Sequence, residues 1–337
     1  MKKLKIGLNG FGRIGRALTR IALTRNSFDI VLINTRKTPN DMLAYLLQYD
    51  SVYRTFNKKV QVESDGISID GIKIITNLAK SPEEIPWEKY NVDIVVDATG
   101  AFTQKTDLEK HLKGSVKKVL LTAPSKDDVI PHVVLGVNDD KIDWKNETVI
   151  SNASCTTNCA SPLLKILDDN FKIVSAFLTT THAVTQTQSL LDDSGKSVER
   201  SRAAFQNIIP STSGAAKAVV KILPQLKGKI EVGAIRVPVP TVSLTDISAV
   251  VKKSTTVEEV KAAFKKASVN EMKGILGYEI EMLVSSDYIG SSYSAIYDAN
   301  YTKVIGGTAV KVFGWYDNEW GYSTRLADLI EKLGVFF

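Results

Sequence analysis

The sequence predicts an α/β protein: a doubly wound parallel sheet, followed by an α+β domain built on a mixed or antiparallel sheet. Three observations carry this reading. In the first half, short apolar runs closed by turn residues alternate with segments of helical periodicity, the pattern of strands buried on both faces. Near the start, glycines punctuate the passage from the first strand to the first helix. Beyond residue 155 the strands lengthen and alternate, as strands with one solvated face do.

Taken in order, KLKIGLN is a strand and RIGRALTRIALTRN a helix with apolar residues at helical spacing. FDIVLIN is the second strand, and NDMLAYLLQYDS a helix with Asn40 or Asp41 as its cap. KKVQVESDGISIDGIKIIT alternates as a hairpin or meander turning at Asp65-Gly66. VDIVVDATG, KKVLLTAP and VVLGVND are further buried strands, with DLEKHLKG a charged helix among them. The strand TVI leads toward the helix NCASPLLKILDDNF, and GAAKAVVKILPQL is helical until Pro224. KIVSAFLTTTHAV, EVGAIRVPVPTVSLTDISAVVKK and TAVKVFGWYDN are long strands; TVEEVKAAFKKASV and GYSTRLADLIEKLGVFF are helices. The tail helix is expected to return to the first domain. The expected division is therefore 1–154 plus 319–337, and 155–318.

A chain of 337 residues with 44% hydrophobic content is long enough for about two cores. No run reaches the roughly 18 apolar residues of a membrane span, and MKKLKIGLNGFGRIG lacks the apolar centre of a secretion signal. Two cysteines exclude a disulfide scaffold and point to a reducing compartment, the cytoplasm. The net charge of +6 is scattered among the acids, without a basic stripe. Nucleic-acid binding is not expected, while small anionic ligands suit the charge.

Gly10, Gly12 and Gly15 form a G-x-G-x-x-G spacing that follows a strand and opens a helix, the context of a Rossmann-type dinucleotide turn. Gly10 suits the tight turn, Gly12 the approach of a pyrophosphate, and Gly15 close helix packing. At the end of the second strand, Thr35 stands where an NAD-preferring site places an acid, followed by Arg36 and Lys37. Loss of the acid and gain of cations favour a 2′-phosphate, so the expected cofactor is NADP, or either nucleotide, rather than strictly NAD.

Both cysteines lie in SNASCTTNCASP. Cys155 begins a helix, where backbone N–H groups and the dipole favour a thiolate and a developing oxyanion. Cys159 lies one turn on and reads as buried filler. A disulfide within one turn is geometrically poor, and the histidines lack ligand spacing, so no metal is expected. Of three histidines, His111 reads as a surface residue, His132 as structural, and His182, closing a strand among polar residues, as the base.

LNGFGRIGR, ASCTTNC, THAVTQTQ, RAAFQNIIPSTSGAAKAV, RVPVPTVS and WYDNEWGYS together resemble the phosphorylating glyceraldehyde-3-phosphate dehydrogenase family, in the family's order, from residue 5 to residue 330. The resemblance implies attack by Cys155 on an aldehyde, His182 as base, and glyceraldehyde 3-phosphate and inorganic phosphate as substrates. It implies a substrate-phosphate site of Thr185, Thr187 and Arg236, and an attacking-phosphate site of Ser154, Thr156, Ser213 and Gly214. Cofactor contacts are implied at Arg13, Ile14, Lys80, Thr122, Asn318 and Tyr322, and a homotetramer as the assembly. Thr35 departs from the aspartate of NAD-specific members, and Ser213 stands where threonine is usual. The loop LLDDSGKSVERSRAA is about one residue short. An erythrose-4-phosphate dehydrogenase of the same family, and a polyanion- or surface-binding role, are the alternative readings.

Overall fold

The computed structural model describes residues 3–195, 197–212 and 214–337, so the expectation at Ser213 lies outside the described residues. The chain forms two compact units: 1–133, 140–153 and 323–337 in one, 134–139 and 154–322 in the other.

In the first unit, β1 (Leu4–Asn9) leads through the glycines into α1 (Arg13–Ala22). Then come β2 (Phe28–Asn34), α2 (Asn40–Gln48), β3 (Val60–Glu63), β4 (Gly66–Ile69), β5 (Ile72–Asn77), β6 (Ile94–Asp97), α3 (Lys105–Leu108), β7 (Lys118–Leu121) and β8 (Val149–Ser151). The sheet runs β3-β4-β5-β2-β1-β6-β7-β8. Strands β5 to β8 in that order are parallel, and β3 and β4 extend the edge antiparallel. The parallel strands are apolar throughout because both faces are covered: Ile6, Leu8, Leu32, Ile33, Val95 and Val96 are all buried. Beside them Trp87, Val92, Leu108, Val119 and Ile130 form one contiguous cluster.

The chain order turns back at β1, which lies between β2 and β6. In such sheets ligands bind beyond the carboxyl ends of the strands at this reversal.

Some local expectations change. Pro39, not Asn40 or Asp41, caps α2. The Asn40 side chain is committed elsewhere, accepting from Thr76 Oγ1 and donating to the Glu63 carbonyl. Gly66 opens β4 rather than sitting in the turn, since an added Cβ would lie 2.1 Å from the Ile74 oxygen. VVLGVND forms no strand; only His132 bridges to Ser151, and the chain then turns under hydrogen bonds from Val134 N–H and Gly136 N–H to the Asn138 and Asp139 side chains.

The second unit contains α4 (Cys155–Phe171), β9 (Ile173–His182), β10 (Ile209–Thr212), α5 (Ala215–Ile222), β11 (Ile230–Arg236) and β12 (Ser243–Val251). It continues with α6 (Val257–Val269), β13 (Leu276–Glu279), β14 (Ala295–Ile305), β15 (Ala309–Tyr316) and the start of α7 (Trp320–Leu333). Its sheet is mixed, ordered β10-β11-β9-β12-β15-β14-β13. Helices α4, α5 and α6 pack on it. A patch of the sheet is exposed: Phe177 is 71% exposed, opposite Ser248, with Val250 beside them in register.

Candidate active site

The glycine turn has the geometry its spacing predicts. Gly10 holds φ +98, and a Cβ there would meet the Ala98–Thr99 backbone at 2.8 Å. A Cβ on Gly15 would lie 2.5 Å from the Gly10 carbonyl oxygen, so α1 can pack only over glycine. Gly12 differs: nothing lies within 4 Å of its missing Cβ, and it caps α1 without a side-chain bond. The first-turn N–H groups of a helix have no intrahelical acceptor, and an anion placed over Gly12 would supply one. These residues fit a dinucleotide pyrophosphate.

Around this turn, Arg13 places its guanidinium on Asp50 and over the Tyr53 ring, leaving its backbone and that of Ile14 at the turn. Burial works against the Asp50 carboxylate, but the Tyr53 N–H and the Arg13 guanidinium outweigh it and hold its pKa below the usual range. Thr35 is buried, its hydroxyl donating to the Thr38 carbonyl, and its N–H donates to the Asn77 carbonyl. Arg36, Lys37 and Lys80 are exposed. Thr122 donates its N–H to the Asp97 carbonyl at the end of β7.

His111 corrects an expectation. It is wholly buried, because α3 ends at Leu108 and the following turn rotates it inward against Trp87. His132 is buried too, and its Nε2 accepts the Ser125 N–H, a structural use.

In the second unit, Ser154 caps α4, its oxygen accepting the Thr157 N–H at 3.1 Å, so that Cys155 is the first helical residue. The preceding Ala153 holds φ +52, a left-handed conformation uncommon outside glycine and costing on the order of 1 kcal/mol. The Cys155 Sγ lies 3.6 Å from His182 Nε2. His182 ends β9, and its Nδ1 lies 2.7 Å from the Ala183 carbonyl oxygen.

Arg236, ending β11 beside β9 in register with His182, brings Nη1 to 3.0 Å from the same oxygen and 2.5 Å from Nδ1. Two donors thus converge on one carbonyl. The Arg236 Nε is buried with no hydrogen-bond partner among the described residues. Thr185 and Thr187 hydroxyls lie 2.9 Å apart in the turn after β9.

The electrostatics follow from burial and this guanidinium. His182 is pushed down to about 3 by burial first, then by the charges of Arg236 and Arg200, against the Ala183 carbonyl. Burial raises the Cys155 thiol, outweighing the Arg236 charge and the Thr156 N–H that favour thiolate. The helix terminus therefore does stabilise the thiolate, but less than burial disfavours it. The resting pair is neutral thiol and neutral imidazole, aligned for proton transfer. Cys159 is buried against the Gly314 carbonyl and pushed up to about 12 by burial, an inert neighbour.

Asn318 accepts from Ser243 Oγ, which itself accepts the Ala183 N–H, joining it to the strand end that carries His182. Tyr322 is buried and Gly214 exposed, the latter before α5. Thr156 does not present a free hydroxyl, since its Oγ1 lies 3.0 Å from Tyr316 Oη.

Two residues were not foreseen. Arg200, through Nε and Nη2, donates to Ser211 Oγ, and its charge reaches both His182 and Arg236. Tyr316 bonds Thr156 and Thr180 and stands edge-on to His182. Tyr316 lies within a motif quoted for other residues; Arg200 sits in a loop whose length departs from pattern, so its register was obscured. Among the described residues no group of three His, Cys, Asp or Glu side chains is placed to hold a metal. None of their helices is long and apolar enough to cross a membrane.

A dinucleotide turn on a doubly wound sheet, with a thiol–imidazole pair at a helix start, defines the class of thiol-dependent, nicotinamide-linked oxidoreductases. Residues 4–105 match the family model of the glyceraldehyde 3-phosphate dehydrogenase NAD binding domain, and 154–318 that of the C-terminal domain. The chain is 49% identical over 325 residues to glyceraldehyde-3-phosphate dehydrogenase 1 of Bacillus cereus, covering 96% of this chain and 97% of the relative. It is 48% identical to glyceraldehyde-3-phosphate dehydrogenase 2 of Streptomyces avermitilis, covering 98% of each. To glyceraldehyde-3-phosphate dehydrogenase 1 of Kluyveromyces lactis it is 45% identical, covering 98% and 99%. The chain belongs to the glyceraldehyde-3-phosphate dehydrogenase family and is an oxidoreductase using NAD(P) and small-molecule substrates.

Proposed function

We propose that the chain oxidises D-glyceraldehyde 3-phosphate with NAD(P) and inorganic phosphate to 1,3-bisphosphoglycerate, the phosphorylating step of glycolysis and gluconeogenesis. The observation that carries this reading is the Cys155–His182 contact of 3.6 Å beside the Arg236 guanidinium, whose buried Nε has no partner among the described residues. Cys155 Sγ adds to the aldehyde carbon while His182 Nε2 takes the thiol proton and hands it to the forming alkoxide, giving a hemithioacetal and a neutral imidazole. The nicotinamide supplies a hydride acceptor. Loss of hydride from the hemithioacetal carbon, and of its hydroxyl proton to His182, leaves a thioester on Cys155. A phosphate oxygen then attacks the thioester, and the Cys155 thiolate departs as the acyl phosphate forms.

Arg236, with Thr185 and Thr187, is assigned to the substrate phosphate; Ser154, Thr156, Gly214 and Ser213 are assigned to the attacking one. Arg200, held by Ser211, adds its positive charge to the field around Arg236. Thr156 contributes through its backbone N–H, its hydroxyl being engaged with Tyr316. Gly10, Gly12, Arg13, Ile14 and Gly15 are assigned to the pyrophosphate, and Thr35, Arg36, Lys80 and Thr122 to the adenosine side. Asn318, oriented by Ser243, takes the carboxamide, and Tyr322 packs near the nicotinamide.

We assign a preference for NADP, or dual use, to Thr35, Arg36 and Lys37. A buried threonine adds no negative charge, and two exposed cations follow it. The homotetramer is supported by the exposed sheet patch around Phe177 and by the apolar, exposed Leu190, Leu191 and Val198. Initial rates with glyceraldehyde 3-phosphate and phosphate, titrating NAD and NADP separately, test the whole reading. A higher kcat/KM with NADP is expected; a strong NAD preference overturns the 2′-site assignment, and no turnover with either overturns the function.

A further inference from the structure

We propose that Asp97 and His111 are positioning residues for dinucleotide binding, acting through a buried hydrogen-bond network that fixes the carboxyl ends of four parallel strands. The inference rests on the dinucleotide reading of the first unit. Neither side chain is exposed. Asp97 Oδ1 accepts the Thr99 N–H at 3.1 Å and the Thr99 hydroxyl at 2.6 Å. Asp97 Oδ2 lies 2.8 Å from Asn9 Nδ2 and 3.3 Å from His111 Nε2. Trp87 Nε1–H donates to His111 Nδ1 at 3.1 Å. Indole nitrogen can only donate, so Nδ1 is the acceptor and the proton sits on Nε2, pointing at Asp97.

The network continues past Asn9. Asn34 Nδ2 donates to Asn9 Oδ1, while Asn34 Oδ1 accepts from Asn77 Nδ2 and the Ala79 N–H. One connected set therefore crosses β6, β1, β2 and β5 at their carboxyl ends, centred on the reversal of strand order. The backbone bonds of the same residues set the loops that leave there. Gly10 N–H donates to the Asn34 carbonyl, Ala98 N–H to the Asn9 carbonyl, and Thr35 N–H to the Asn77 carbonyl. These loops are the pyrophosphate turn, the 97–100 turn that presses on Gly10, and the turn carrying Thr35.

Apolar residues of similar volume would hold a sheet together as well as a buried polar network does. What such residues would not supply is direction: each amide and carboxylate here fixes the rotation of its neighbour, and a satisfied network is rigid. Asp97 faces four donors, so Asp97→Asn must turn an N–H toward one of them. His111→Leu leaves Trp87 Nε1 without its acceptor and Asp97 Oδ2 without one donor. Glutamine at 111 can accept from Trp87 and donate to Asp97, as the histidine does.

Binding of NAD and of NADP to the full chain is measured by calorimetric titration, alongside saturating kcat and the rate of Cys155 alkylation. Asp97→Asn and His111→Leu are expected to weaken the better-bound nucleotide by about ten- to hundredfold. Saturating kcat and alkylation stay within about twofold of the parent, and His111→Gln recovers most of the affinity. Thr99→Val, which removes the hydroxyl's bonds to Asp97 and from the Ala101 N–H but keeps the Thr99 N–H on Asp97, is expected to weaken binding by about threefold, and it decides the matter if the leucine variant does not fold. Affinities within about twofold of the parent in folded variants overturn the proposal, as does a fall in kcat or alkylation equal to the fall in affinity. If the parent binds neither nucleotide, the dinucleotide reading itself fails; if the parent binds and the variants bind equally well, only the positioning role fails.

Discussion

The buried polar groups of the two units are arranged in opposite ways. At the strand ends of the first unit, Asp97, Asn9 and Asn34 are saturated, each partnered on both its side-chain polar atoms. Around Cys155 the partners do not balance: Arg236 and His182 both seek the Ala183 carbonyl, the Arg236 Nε has none among the described residues, and a half-buried thiol stands beside a neutral imidazole. A saturated network has nothing left to offer a reactant, so it sets geometry. An unbalanced one holds donors ready for charge that arrives or develops.

That contrast can be broken most sharply at Cys155. Cys155→Ser is expected to abolish phosphate-dependent oxidation, while calorimetric affinity for NAD(P) stays within about twofold; a parallel loss of binding would erase the distinction between the units. Next in size is His182→Asn, expected to lower kcat by about 10²–10⁴-fold and to slow Cys155 alkylation at neutral pH.

The same histidine carries a stability effect of a few kcal/mol. Its folded pKa, about 3, lies below the unfolded value, so folding is favoured fully above about pH 6.5. Below that the unfolded chain binds a proton the native one refuses, and stability falls by roughly 1.4 kcal/mol per pH unit toward pH 3. Thermal melts from pH 7 to pH 4 should therefore be shallower against pH in His182→Asn than in the parent.

Smaller still, Thr35→Asp should shift the NADP-to-NAD ratio of kcat/KM toward NAD by about tenfold, through repulsion of the 2′-phosphate. The least effect is expected from Tyr316→Phe, which removes hydrogen bonds to Thr156 and Thr180 but keeps the ring against His182. A fall in kcat of about threefold to tenfold, with cofactor KM unchanged, would mark Tyr316 as part of the unbalanced cluster.

Legibility in the sequence followed the range of the interactions. Gly10, Gly12 and Gly15 announce themselves because turn, approach and packing are decided within a few residues. Cys155 was legible for the same reason, as a helix start, although the cap that Ser154 provides was not foreseen. His111 was misread because its burial depends on Trp87 and Asp97, 24 and 14 residues away, while its neighbours in sequence are charged. Strands β10, β13 and β14 went unforeseen because they take shape as partners of β11, β14 and β15 in turn, not from strong runs of their own. Arg200 depends on a loop fold that its sequence does not advertise.

The convergence of Arg236 and His182 on one carbonyl also bears on how the protein survives between turnovers. Burial, joined at the imidazole by the guanidinium's charge, leaves His182 a feeble base, and burial keeps the thiol protonated against that same charge, which makes it a poor target for oxidants and stray electrophiles. A bound dianion would screen that charge, relieving the lesser part of the imidazole's suppression while withdrawing support from a thiolate, so the pair stays neutral until an aldehyde is within reach. The sulfur would give up its proton only as it bonds to carbon, and the empty enzyme would carry its most vulnerable atom with the safety on.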